Sequence, residues 1–166
     1  MEERPKVKIE LSTIDKVIEV LGWLALITLW GLIVLNYSNL PETIPTHYNG
    51  LGQVDSYGNK TTIFMLPVIG TILFVGMSIL NKYPHIFNYP TNITADNARQ
   101  QYTNATRMIR YLKFAIALIF SLKVFKTLQT ATGKSGGLGT WFLPLELGLI
   151  FIPAIFYLIK SFKMRK

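Results

Sequence analysis

The stretch NLPETIPTHYNGLGQVDSYGNK, residues 39–60, decides how the chain is organised. It is the densest run of polar, glycine and proline residues in an otherwise apolar chain, and a hydrophobic run abuts it on each side. Within it, Tyr48-Asn49-Gly50-Leu51-Gly52-Gln53 carries hairpin turn signals. Two registers are open. A three-residue turn over residues 50–52 sets His47 opposite Asp55, within hydrogen-bonding reach. A two-residue turn at Gly50-Leu51 sets Thr46 opposite Asp55 instead.

Upstream, residues 17–37 carry no charge after Glu19, and about 20 apolar residues suffice to cross a bilayer core. Ser12 and Asp15 fit a capping box that starts this helix. The run is too long for a signal-peptide core, so a retained membrane helix is expected. Downstream, residues 61–80 are uncharged. Pro67 sits within the first two turns, where a missing N–H costs least. Gly70, Gly76 and Ser78 offer small surfaces for close helix packing.

Composition agrees with these two runs. Of the 166 residues, 50% are hydrophobic and 16% charged, against about 25% charged in soluble domains. Mean hydropathy is positive. The formal net charge is +8. Its basic residues sit beside hydrophobic runs rather than interleaved with aromatics on a soluble face, which argues against nucleic acid as a partner. There is no cysteine, so disulfides and thiolate metal sites are excluded.

Beyond the second run, Tyr83, Pro84, Tyr89 and Pro90 mark a connection, in which His85 is given no role. No glycine or proline follows from residue 95 to residue 132, so one long helix is expected over residues 95–129. Its first third stands in water and residues 109–129 cross the bilayer. Only nine uncharged residues separate Lys113 from Lys123. The crossing therefore relies on lysine stems snorkelling to the ends, and an amphipathic interfacial helix is the alternative. The segment from Gly133 to Gly139 reads as a flexible turn; Gly133-Lys134-Ser135 lacks the rest of a phosphate loop. Residues 140–159 form the last span, with Trp141 at an interface and Pro153 inside.

The expectation is an all-α membrane protein, a single integral domain over residues 1–166. Four transmembrane helices cover residues 17–37, 61–80, 109–129 and 140–159. The third extends into the cytoplasm, and a small extracellular hairpin joins the first two. Arg4, Lys6, Lys8, Lys16, Lys82, Arg99, Arg107, Arg110, Lys160, Lys163, Arg165 and Lys166 fall on one side. Lys60, Lys126 and Lys134 fall on the other. The positive-inside rule then puts both termini in the cytoplasm of a cell-membrane protein.

The motif Leu40-Pro41, Pro45-Thr46-His47-Tyr48, Gly52, Asp55, Tyr57-Gly58 and Lys60 resembles a bacterial membrane family of unassigned function. Asn88-Tyr89-Pro90, Ile93-Thr94, Asn97 and Arg107-Met108 extend the likeness. Over residues 20–110 the chain also resembles the N-terminal module of SdpI-type immunity proteins, which carry a further C-terminal membrane portion. Those proteins protect a cell against a secreted peptide toxin and also act as signalling receptors. The resemblance implies a non-enzymatic sensing or immunity module without cofactor. Its partners would be the lipid bilayer and an extracellular peptide or another membrane protein.

Two sets of side chains carry candidate chemistry. In the loop, His47 and Asp55, with Glu42, read either as a metal or proton site or as fastenings of the hairpin. Two or three ligands without fixed spacing are a weak metal signal. Inside the last span, Glu146 is an ionisable group in the bilayer and calls for a partner. Lys123 or Lys126 is the expected one, as a structural ion pair or as the relay of a small transporter or accessory subunit. No catalytic motif is present.

Overall fold

The computed structural model describes residues 4–164, so Arg165 and Lys166 of the basic C-terminal tail lie outside the described residues. Helix α1 spans Thr13–Asn36 and starts on the anticipated capping box, with Ser12 and Asp15 each accepting from the other's backbone. Strands β1, Thr43–Tyr48, and β2, Val54–Asn59, form an antiparallel hairpin. A 3-10 turn, Lys60–Phe64, leads into α2, Met65–Leu80. Helix α3 spans Ala98–Ala131 and α4 Phe142–Lys163, with Pro153 inside α4. α3 starts later than residue 95 because Thr94 and Asn97 close a reciprocal turn, each side-chain oxygen accepting from the other's backbone N–H at 3.4 and 3.0 Å.

Among the described residues, three helical stretches are long and apolar enough to cross a membrane: Thr13–Asn39, Lys60–Leu80 and Phe142–Lys163. α3 is of another kind. Its 34 residues extend roughly 50 Å, and it packs against α1, α2 and α4. It is thus the centre of the bundle. Its buried residues include Gln101, Asn104, Thr106, Arg110, Lys113, Ser121 and Thr127. The outward faces of α1 and α4 instead carry Val17, Val20, Trp23, Phe151, Ile155 and Phe156. Polar groups inside and apolar groups outside suit a hydrocarbon solvent.

An ionic seam joins α1 to α3. The guanidinium of Arg107 grips Asp15 through two hydrogen bonds, Nε to Oδ1 at 2.7 Å and Nη2 to Oδ2 at 3.0 Å. Two turns deeper, the Lys113 ammonium donates to Glu19 Oε1 at 2.5 Å and to Ser78 Oγ on α2 at 2.7 Å. It also lies 4.4 Å from the centre of the Phe74 ring. Arg110 flanks the same Glu19 at 3.7 Å. Lys113 is 2% exposed, so the expectation that it snorkels is corrected: a carboxylate, a hydroxyl and a ring face meet it inside. Ser78 is accordingly a hydrogen-bond partner rather than a small packing surface.

Close packing relies on Gly22 and Gly70. A Cβ at Gly22 would stand 3.0 Å from the Phe74 ring, and one at Gly70 3.2 Å from Phe120 and 3.3 Å from Leu29. Gly76 faces open space. Both ends of the described chain gather at one end of the bundle. Arg4 donates to the carbonyls of Phe87 and His85, Tyr102 to that of Pro5, and Gln101 to those of Ser161 and Met164. The hairpin and the α3–α4 loop share the other end, where the Leu138 N–H donates to the Gly52 carbonyl at 2.8 Å.

Removing one member of a buried pair leaves an uncompensated charge at a cost of about 3–5 kcal/mol. Glu19→Gln and Lys113→Met should each lower stability by that order, and the double variant by clearly less than the sum. Thermal unfolding of the four proteins in detergent, followed by circular dichroism, measures this. Strict additivity would show that the two side chains do not stabilise one another.

Candidate functional site

The hairpin turns through Gly50, Leu51 and Gly52. The Asn49 N–H donates to the Gln53 carbonyl at 2.9 Å, and the Gly52 N–H to the Asn49 carbonyl at 2.8 Å. The Asn49 side-chain oxygen accepts from the N–H groups of Leu51 and Gln53, both at 3.0 Å. Gly52 has φ +73°, a left-handed conformation that favours glycine. This is the three-residue turn, with Tyr48 opposite Val54. The ladder then slips, and the Cα partner of His47 is Ser56 rather than Asp55. The irregularity still leaves Asp55 beside His47, and Nδ1 meets Oδ1 at 2.6 Å. The two side chains are 69% and 40% exposed.

Several motif residues fasten this hairpin. Lys60 binds Glu42 at 2.8 Å and lies 5.2 Å from the Tyr37 ring centre. Ile44 and Pro45 are buried. The Tyr48 hydroxyl meets Thr127 Oγ1 of α3 at 2.9 Å, and burial raises the phenol's pKa, which keeps that hydroxyl protonated. A side chain at Gly58 would press on Thr46 at 2.9 Å. A Cβ at Gly52 would overlap the backbone of Gly139, and Gln53 bridges Gly137 across the same seam. The glycine-rich α3–α4 loop is therefore a docking surface for the hairpin. Tyr57 is left 64% exposed.

Beneath the turn lies a cavity of about 130 Å³ lined by Tyr48, Asn49, Lys123, Phe142 and Glu146 among others. A second cavity of about 220 Å³ is bordered by Tyr48, Lys123, Ile44, Leu66 and Val124. Lys123 and Tyr48 stand at the boundary of both. Lys123 and Glu146 thus share one cavity, yet no ion pair within 4.0 Å joins Glu146 to any basic group among the described residues. The expected pairing with Lys126 is corrected. Lys126 lies nearly one turn nearer the α3–α4 loop, and its ammonium donates to Ser135 Oγ at 3.1 Å. Among the described residues no group of three or more His, Asp or Glu side chains is placed to hold a metal ion.

The charged seam of Asp15, Glu19, Arg107, Arg110 and Lys113 went unread in the sequence. Its signal was an acidic i, i+4 pair at the start of α1 and a basic i, i+3, i+6 series on α3.

Residues 24–71 match the family model for a domain of unknown function, DUF1648. An uncharacterised protein of the archaeon Archaeoglobus fulgidus is 32% identical over 88 residues, 48% of each chain. The chain thus spans about half the length of that relative. No solved structure matches the chain. The family match runs from α1 through the hairpin into α2. It supplies the cover of the cavity, whereas Lys123 and Glu146 come from residues beyond it.

Gly52→Ala should force the hairpin away from the α3–α4 loop and expose both to limited proteolysis. Tyr48→Phe should leave the loop protected and lower stability by about 1 kcal/mol, the worth of one hydrogen bond. Equal proteolysis of the Gly52→Ala variant and the parent would show that this docking is not needed.

Proposed function

We propose that this is a multi-pass cell-membrane protein that recognises an extracellular peptide through its hairpin end. It works as a non-enzymatic sensing or immunity-type module, like the SdpI-type proteins its loop motif resembles. The observation that carries the reading is the cavity under a fastened hairpin, in which Lys123 and Glu146 face the same space without pairing. A peptide with a carboxylate and an ammonium or guanidinium group complements two such charges. The exposed surface of the hairpin adds a His47–Asp55 pair and Tyr57. An aromatic side chain with a polar tip is a frequent anchor at recognition surfaces.

Orientation follows from charge. The end that gathers the described termini carries Arg4, Lys82, Arg99, Lys160 and Lys163, and the hairpin end carries Lys60, Lys126 and Lys134. By the positive-inside rule the hairpin faces out.

A small transporter or accessory subunit is the second reading, favoured by the path from the turn to Glu146. Against through-transport, Leu29, Phe74 and Val124 are fully buried apolar side chains of α1, α2 and α3. On α3, the buried apolar Ala117 and Ile119 stand between Lys113 and Lys123 along the helix.

Cells expressing the chain should survive a secreted peptide toxin better than cells lacking it, and Lys123→Met or Glu146→Gln should abolish the protection. His47→Ala should weaken it. Survival equal to that of cells without the chain would refute the immunity role. Proton flux into proteoliposomes that depends on Glu146 would favour transport instead.

A further inference from the structure

A second cavity-lined site lies at the opposite end of the molecule, where α3 meets the end of α4. We propose that it binds the headgroup phosphate of an anionic phospholipid from the leaflet at that end. This rests on the membrane reading of the helices and is independent of peptide recognition at the hairpin.

The cavity holds about 300 Å³ and is lined by Arg99, Gln100, Thr103, Arg107 and Lys160 among others. Three of these side chains are cations, brought together from two helices. Arg107 is already committed to Asp15. Arg99 and Lys160 have no carboxylate within 4.0 Å among the described residues. Among the described residues, the site therefore carries two positive charges with no paired carboxylate.

Their placement is fixed by a buried lock beside them. Gln101, fully buried, donates to the carbonyls of Ser161 at 2.9 Å and Met164 at 3.2 Å and to Thr91 Oγ1 at 3.1 Å. The Ser161 hydroxyl donates back to Gln101 Oε1 at 2.6 Å, and Asn104 donates to the Tyr157 carbonyl at 2.8 Å. The lock holds the end of α4 against α3, so Lys160 springs from a fixed backbone position beside the cavity that Arg99 and Thr103 border. Both cations border one cavity, so an anion bound there is attracted by both. Arg99 also stands in the first turn of α3. The helix dipole disfavours a cation there and favours an anion.

The neighbouring surface says which anion. Phe156, Ile159 and Phe162 are exposed around Lys160, so its ammonium sits where an apolar surface ends and basic residues begin. That is the level of lipid phosphates. A lipid whose headgroup has no compensating ammonium suits the two free cations better than a zwitterionic one.

The full chain, purified in detergent with added phosphatidylglycerol or phosphatidylcholine, can be weighed by native mass spectrometry to count retained lipid. Phosphatidylglycerol should be retained in preference to phosphatidylcholine. Arg99→Gln with Lys160→Gln should weaken its retention by roughly thirtyfold, as each basic residue contributes about one charge's worth of surface attraction. Lys82→Gln, an exposed basic residue at the same end, should change nothing. Both target side chains are exposed and unpaired, so thermal unfolding of the double variant should match the parent. Arg99→Gln alone, with a smaller loss, serves if the double variant does not fold. Equal retention by the double variant and the parent, or equal retention of the two lipids, would overturn the assignment. So would displacement of the lipid by equimolar inorganic phosphate, which would mark a free-phosphate site.

Discussion

The contact on which the architecture depends is the clasp of Lys113 by Glu19 and Ser78. A buried ammonium is tolerated only with a partner anion and hydrogen bonds close at hand. Here one α3 side chain meets both α1 and α2, so its position fixes three helices together. The bidentate hold of Arg107 on Asp15 sets the register of α1 against α3 two turns away. A slip of one residue along either helix would break both contacts. The charged residues of α3 thus specify the assembly, while its apolar neighbours fill space around them.

That clasp also explains why α3 reads poorly as a span. Hydropathy averages over all faces of a helix and assumes that lipid is the solvent. α3 is surrounded by α1, α2 and α4, so its solvent on most faces is protein. Its polar residues are costs only where no partner waits, and partners wait for Gln101, Arg107, Lys113, Ser121 and Thr127. α4 is the opposite case. It packs on α3, leaves most of its surface outward, and fills that surface with Phe, Ile and Leu.

What the sequence made legible was local. The Ser12–Asp15 capping box and the three apolar runs each rest on interactions a few residues apart, and each stands in the structure, whereas the turn signals placed the hairpin and left its register open. The partners of Lys113 did not show, because Glu19 and Ser78 lie 94 and 35 residues away. Glu146 and Lys123 were matched by depth along their helices, and depth alone brought them into one cavity without bringing them into contact. His47 and Asp55 met by a different route from the one the turn implied. The ladder slips by one residue and the side chains still converge.

The hairpin and the cavity below it differ in how their polar residues are used. Gly52, Gly58, Tyr48 and Lys60 have structural tasks that any copy of this hairpin would need: a left-handed turn, a close strand crossing, an anchor on α3 and a tie to Glu42. These lie within the matched segment, residues 24–71. Lys123 and Glu146 hold nothing together in the described structure, since neither pairs with another side chain there. A charged side chain near the membrane that contributes no internal contact carries its desolvation cost without structural return. Under the proposed peptide recognition, these unpaired charges beneath a fastened cover are the place where a ligand's charges would be met.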